Sequence, residues 1–228
     1  MRPTLALCLL FALAACGARP LTEGERAFAE TVVGRAVALD EVVIVRGSAS
    51  ALIPTTVPVR PRDTCRTRIA PPRDRPVPGL YPAFVLGDRI HVARDFWARD
   101  FAPDYPDALQ LEAAMRLAHE LVHVWQWQAR GLTGYGPQRA LAEHVALDDP
   151  YLTELEPGRG FLDYGWEQQG ALVEEFVCCR ALDPAAPRTN RLAALVGEVF
   201  PEAERRPRVP PAAVRLRWPE AERTGICR

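Results

Sequence analysis

Ala118-His119-Glu120-Leu121-Val122-His123-Val124-Trp125-Gln126 is the stretch on which the reading of this chain turns. Residues four apart on an α-helix lie on one face, one turn above the other, so the imidazoles of His119 and His123 can ligate one metal ion. Glu120 projects beside them, where it can take a proton from a water on that metal. The chain has only four His, and two of them fall here. The pattern predicts a Zn²⁺ site with His119 and His123 as ligands and Glu120 as general base.

The surrounding residues predict a helix to carry it. Asp107 can cap a helix running from Ala108 to about Arg130, with Gly131 as its stop. Leu111, Met115, Ala118, Val122 and Trp125 form an apolar stripe. Glu112, Arg116, His119 and His123 lie on the neighbouring face, so the metal site borders the core.

A hydrolytic zinc site takes three protein ligands and keeps a fourth position for water. The third ligand does not come from an HExxHxxGxxH extension, because residue 126 is Gln and residue 129 is Ala. His91 and His144 are single residues without a partner motif. A second helix, from Tyr164 to about Leu182, offers Glu167 and, two turns on, Glu174 on one face with Gly170 and Ala171. Glu167 is the expected ligand, and Glu174 a supporting carboxylate or substrate contact. Glu175 points about 80° away from Glu167 by helical geometry and is not expected in the site. For hydrolysis the developing oxyanion needs a donor besides the metal. Tyr164, His144 and Tyr135 are the candidates, with Tyr164 favoured because it precedes Glu167 by one turn.

Elsewhere the pattern predicts a short helix near Glu23–Leu39, a buried strand at Glu41–Arg46, and a hairpin of Ala83–Leu86 and Arg89–Ala93 about Gly87-Asp88. Arg89–Ala93 is the strand to whose edge an extended peptide could add. Residues 54–80, rich in Pro and Arg, read as irregular. Short helices are expected at Gln138–Ala146 and Arg191–Val199, and there is no internal repeat. The 228 residues suffice for one sizeable core. The net charge of −1, with every basic residue an Arg, argues against nucleic acid as a partner.

The first residues read as an export signal. Arg2 precedes an apolar run from Leu5 to Leu13, too short to span a membrane. It ends Leu13-Ala14-Ala15-Cys16, which resembles a bacterial lipobox and implies cleavage before Cys16 and a lipid on its sulfur. Gly17 in place of Asp points to the outer membrane, so membrane contact is expected through the lipid anchor only. Cys65, Cys178, Cys179 and Cys227 remain as an even set for an oxidising compartment. A Cys178–Cys179 bond is disfavoured because helical neighbours point about 100° apart. Cys65 and Cys227 are therefore each expected on one of that pair, in either order.

The string Ala118 to Gln128, together with the later Glu167-Gln168-Gln169, resembles the bacterial gluzincin-like proteins labelled Vgr-related, akin to the metallopeptidase-like core domain found beside contractile injection systems. The resemblance covers roughly residues 80–180. It implies an α+β, zincin-like fold, with a small mixed or antiparallel sheet over the HExxH helix and a second ligand-bearing helix. It also implies His119, His123 and Glu167 as zinc ligands and Glu120 as base. Gluzincins often place Asp four residues after the ligand Glu to hold a ligating His. Here that residue is Ala171, so either Glu174 or another carboxylate, such as Asp163, does this work, or the site is weakened.

The expected organisation is a signal peptide (1–15), a lipid tether with a helix (16–40), a metallopeptidase-like domain (41–182) and a Pro-rich arm stapled by disulfide (183–228). The expected activity is zinc-dependent hydrolysis of peptide bonds in a peptide or protein substrate. Two alternatives stand beside it. One is a catalytically idle, zinc-stabilised module that binds an envelope or secretion partner. The other is a structural lipoprotein with no metal.

Overall fold

A computed structural model describes residues 17–47, 54–204 and 207–228. The expected signal peptide and Cys16 lie outside them.

Val43–Arg46, a β-branched run, forms a strand with a buried Ile44, as expected of Glu41–Arg46. In chain order the elements are β1 (Ala18–Pro20), α1 (Glu23–Glu30), β2 (Val43–Arg46), β3 (Pro54–Val57), α2 (Cys65–Arg68) and β4 (Val77–Leu80). There follow β5 (Ala83–Leu86), β6 (Arg89–Val92), β7 (Leu109–Gln110), α3 (Leu111–Gln128), α4 (Arg130–Thr133) and α5 (Pro137–Ala146). The last are α6 (Trp166–Leu182), α7 (Pro187–Val196) and β8 (Val214–Arg215). The fold is α+β.

The main sheet is mixed, in the order β1-β2-β6-β5. β2 and β6 run parallel with Ile44 opposite Ile90, while β5 and β6 form the expected hairpin. Gly87 takes the left-handed conformation of that turn, at φ +65°. The expectation that Arg89–Ala93 forms an edge is corrected here. β6 is bonded on both sides, and the outer strand is β5. The hairpin signal says which two strands pair. It does not say that β2, more than forty residues earlier in sequence, closes the other side of β6.

Beneath the sheet lies α3, the motif helix. Ile44, Ile90 and Val92 meet Arg116, Leu117 and Glu120 around a small void. The stripe Leu111, Met115, Ala118, Val122 and Trp125 is buried, but so are Ala114, Leu117, Leu121 and Val124. The helix is enclosed on nearly every side, with α6 packed along it. Trp125 anchors this packing, edge-on to Phe200 at 5.1 Å and to Phe161 at 6.1 Å. Each fully buried Phe or Leu of this core contributes about 1.5–3 kcal/mol.

Helix ends differ from expectation where tertiary pairing intervenes. α3 starts at Leu111 without a side-chain cap, not at Ala108 behind Asp107. Leu109–Gln110 is instead held extended by parallel pairing with Val214–Arg215 of the C-terminal arm. α3 ends at Gln128, and the left-handed stop is Gly134, at φ +64°, after the single turn α4 that contains Gly131. α1 ends at Glu30 rather than near Leu39, and a 3-10 turn at Gly34–Ala36 follows. The expected helix at Arg191–Val199 begins and ends earlier, at Pro187 and Val196, with Pro at its first turn.

The Pro-rich stretch 54–80, expected to be irregular, holds the hairpin β3–β4 and the turn α2, which Thr64 caps through the Thr67 amide at 3.2 Å. Disulfides Cys65–Cys178 and Cys179–Cys227 settle the order that sequence left open and tie both Pro-rich arms to α6. Among the described residues, no helix is long and apolar enough to cross a membrane.

Candidate metal centre

The first turn of α6 carries Glu167 to the motif helix. Its Oε2 lies 3.1 Å from His119 Nε2 and 3.4 Å from His123 Nε2. The two Nε2 atoms are 3.0 Å apart. Ligand atoms held about 2.0–2.1 Å from a tetrahedral zinc are themselves roughly 3.3 Å apart. The three donors thus outline one face of a zinc-sized tetrahedron, and all three residues are buried. Two further polar atoms in this place are buried without a hydrogen-bond partner among the described residues, Glu120 Oε2 and His119 Nδ1. On its donors and its spacing the site fits a metal ion.

Each imidazole is held differently. His123 Nδ1 donates to Gln126 Oε1 at 2.7 Å, which leaves Nε2 free to ligate. The Gln126 amide in turn donates to Trp166 O at 3.0 Å and Gln169 Oε1 at 2.9 Å, and Gln169 donates to Tyr164 O at 2.8 Å. A neutral amide chain thus ties the motif helix to the start of α6. His119 Nδ1 faces a charge instead, with Glu174 Oε1 3.7 Å away and the other Glu174 oxygen accepting from Arg66 Nη1 at 2.7 Å. Glu174 thus approaches His119 from one turn beyond Ala171, at a distance longer than a hydrogen bond. Asp163 is elsewhere, accepting from Gly160 N at 2.9 Å.

Gly170 explains how α6 comes so close. A Cβ on it would lie 2.6, 2.7 and 2.8 Å from three atoms of the His119 ring. Glu175 points away from the site, as its angle on the helix predicts, but it is buried rather than a solvated helix charge. It accepts from Cys65 N at 2.9 Å, Arg66 N at 3.0 Å and Arg188 Nε at 2.8 Å.

Burial works to raise the Glu167 carboxyl, but the imidazoles of His123 and His119 overcome it and hold the group well below the usual carboxylate range. Burial works to lower His123, but Glu167 wins and lifts it to about 9. A cation entering here therefore takes the place of a proton already held by the pair. Burial pushes Glu120 up, against the pull of His119 and His123.

Tyr164 is not in the site. Its hydroxyl donates to Glu154 O at 3.0 Å and accepts from Glu156 N at 3.3 Å, with Arg159 stacked on its ring. The expectation placed it on a helix face, but α6 begins only at Trp166 and Tyr164 is extended. His144 does reach the site, with Nε2 3.4 Å from Glu167 Oε1 and 3.1 Å from the Tyr151 hydroxyl. The Tyr135 ring lies over His123 at 6.1 Å. Burial, then the charge of Glu167, pushes its phenol upward, so it keeps its proton. His91 stacks on Phe84 at 4.8 Å.

Sequence reasoning missed Tyr151, whose ring lies 5.9 Å from His119, because it sits in a loop with no periodic pattern. It also missed Arg66 and Glu143. The latter accepts from Trp166 N at 3.1 Å and so caps the helix that carries Glu167. Gln126 was legible as a departure from the metzincin spacing, but its role was not.

No family model and no curated protein matches the chain. Among solved structures it is similar to the effector domain of Pseudomonas aeruginosa VgrG2b, at 22% identity over 81% of this chain and 83% of that one, with a TM-score of 0.48. A likeness of that size assigns no activity. What the site offers chemically is two imidazoles and a carboxylate converging on one point, beside a buried carboxyl of raised proton affinity and a protonated phenol.

Proposed function

We propose that this chain is a zinc-dependent peptidase of zincin-like architecture, with His119, His123 and Glu167 as ligands. The observation that carries the reading is the arrival of Glu167 from a separate helix within 3.1 and 3.4 Å of the two motif imidazoles. A zinc ion held by these three residues would supply a Lewis acid and a means of activating water at neutral pH. Glu120 takes the proton of the attacking water and passes it to the leaving amine, a role suited to a buried carboxyl of raised pKa. Tyr135, over His123, and the His144–Tyr151 pair are the candidates to donate to the developing oxyanion. Gln126 and Glu174 orient the imidazoles.

The test uses protein purified without the signal. One zinc per chain and cleavage of casein or a peptide library, lost in Glu120→Gln with the zinc retained, is the expected result. Stoichiometric zinc with no cleavage above that variant would refute the peptidase reading. It would support the second reading, a catalytically idle module in which metal stabilises a partner-binding fold. The burial of the site favours that second reading, since Glu120 is only 5% exposed and Glu167 6%.

The lipobox supports display from the outer membrane through Cys16. Cys16→Ser should move the protein from the membrane fraction to the soluble fraction, and an unchanged distribution would remove the anchor.

A further inference from the structure

We propose that Arg66 is a positioning residue for the metal centre, delivered there by the Cys65–Cys178 disulfide. The proposal rests on the metal-site reading above and adds to it a residue from the Pro-rich arm, far from the motif in sequence.

Thr64 caps the single turn α2, and Cys65 at its start is bonded to Cys178 of α6. The amides of Cys65 and Arg66 are fastened to Glu175 at 2.9 and 3.0 Å. The neighbouring carboxylate, Glu174, points about 100° away round the helix, and the Arg66 side chain meets it there. One guanidinium then makes two bonds, Nη1 to Glu174 Oε2 at 2.7 Å and Nη2 to Tyr151 O at 2.9 Å. The Arg66 and Glu174 side chains are only 12% and 18% exposed, so this bond is shielded from competing water.

The consequence falls on His119. With Oε2 held by Arg66, Glu174 presents Oε1 to His119 Nδ1, an atom with no hydrogen-bond partner among the described residues. At 3.7 Å this is an approach and not yet a hydrogen bond. A sub-ångström movement of the ring or carboxylate closes it, and a closed bond fixes the proton on Nδ1 and leaves Nε2 to ligate. The second bond of Arg66 fixes the backbone of Tyr151, whose ring lines the same site. Arg66 thereby couples the support of one ligand to the wall of the site. Because α2 is pinned by a disulfide, the coupling is complete only in the oxidised chain.

Charge and position act in opposite directions, and the experiment separates them. Removing the positive charge of Arg66 would by itself favour a cation, so the informative variant is Arg66→Lys, which keeps the charge but not the two-pronged fork. Zinc affinity is read by competition with a chromophoric chelator, and ligand geometry by the visible spectrum of the Co²⁺-substituted protein. Arg66→Lys should bind zinc about 10-fold more weakly, within the 10- to 100-fold range seen when a ligand's supporting partner is lost. Its Co²⁺ spectrum should change, while its chelator-treated melting temperature stays near that of the parent. In a Glu174→Gln background the same substitution should have almost no further effect, because its route to His119 is already cut. Glu174→Gln also keeps the test open if Arg66→Lys folds poorly, since by itself it should weaken zinc and alter the Co²⁺ spectrum.

Zinc binding by Arg66→Lys within twofold of the parent, with an unchanged Co²⁺ spectrum, overturns the proposal. So does an equal loss in the Glu174→Gln background. A parent protein that binds no zinc overturns the metal reading itself, and this proposal with it.

Discussion

Replacing Gly170 by Ala tests the geometry of the site most directly. The new Cβ would meet His119 Cε1 at 2.6 Å, Nδ1 at 2.7 Å and Nε2 at 2.8 Å. Non-bonded carbon contacts settle at about 3.5 Å or more, so the ring must retreat by about 0.9 Å. It has little room, because His119 is only 6% exposed and its ring packs against His123 at 4.8 Å and Tyr151 at 5.9 Å. Overpacking of this kind costs about 1–3 kcal/mol, against which Ala gains about 1 kcal/mol over Gly inside a helix. The net loss in metal-free stability is therefore about 0–2 kcal/mol, a modest effect. The effect on metal is larger, because Nε2 of one ligand is displaced by a sizeable part of a coordination distance. Zinc affinity should fall at least 10-fold. Urea unfolding in chelator measures the first quantity, and chelator competition the second. Gly131→Ala is the control, since a Cβ there meets nothing within 4 Å. Gly170→Ala that binds zinc like the parent would refute the close approach of α6 to His119.

Three further outcomes follow from the same geometry. Gln126→Leu keeps the volume but leaves His123 Nδ1, Gln169 Oε1 and Trp166 O without their partner. At about 1–3 kcal/mol for a buried polar group left unpaired, it should lower stability by at least that much and weaken zinc 10- to 100-fold, read by urea unfolding and competition titration.

The metal-free protein should respond to pH in a set direction. His123 is raised from 6.5 to about 9, so its stabilisation is full below about pH 6.5 and is lost as pH rises through 9. Glu167 is depressed from 4.5, so its stabilisation is present above about pH 4.5 and is lost as pH falls through its lowered value. Zinc must displace the His123 proton, so its apparent affinity should rise about tenfold per pH unit up to pH 9. The melting-temperature gap between zinc-loaded and chelated protein should therefore widen from pH 6 to pH 8, and a flat gap would contradict the assignment. The Cys65→Ser, Cys178→Ser double variant should weaken zinc as Arg66→Lys does, whereas unchanged binding would show that α2 holds its place without the bond.

The motif helix, the hairpin about Gly87 and the second helix were legible because their signals are local. A 3.6-residue period and a Gly-Asp turn are written in adjacent residues. Glu167 was legible as a carboxylate at the start of a second helix, in the Glu167-Gln168-Gln169 string that carries the resemblance. Tyr164 was misplaced because helical spacing was extended two residues past the true start of α6. The start of α3 was misplaced because Leu109–Gln110 pairs with Val214–Arg215, a partner remote in sequence that overrides the capping potential of Asp107.

The sequence by itself determined two imidazoles at a four-residue spacing on one helix, a carboxyl beside them, and an even set of cysteines that do not pair as neighbours. Only the tertiary structure decided which strand is the edge, which cysteine joins which, and that Arg66, Gln126 and Tyr151 stand around the candidate metal centre. The reason is physical. Two imidazoles four residues apart share a face by covalent geometry alone, whereas the 3.1 Å between His119 and Glu167 exists because a whole core packs α6 against α3.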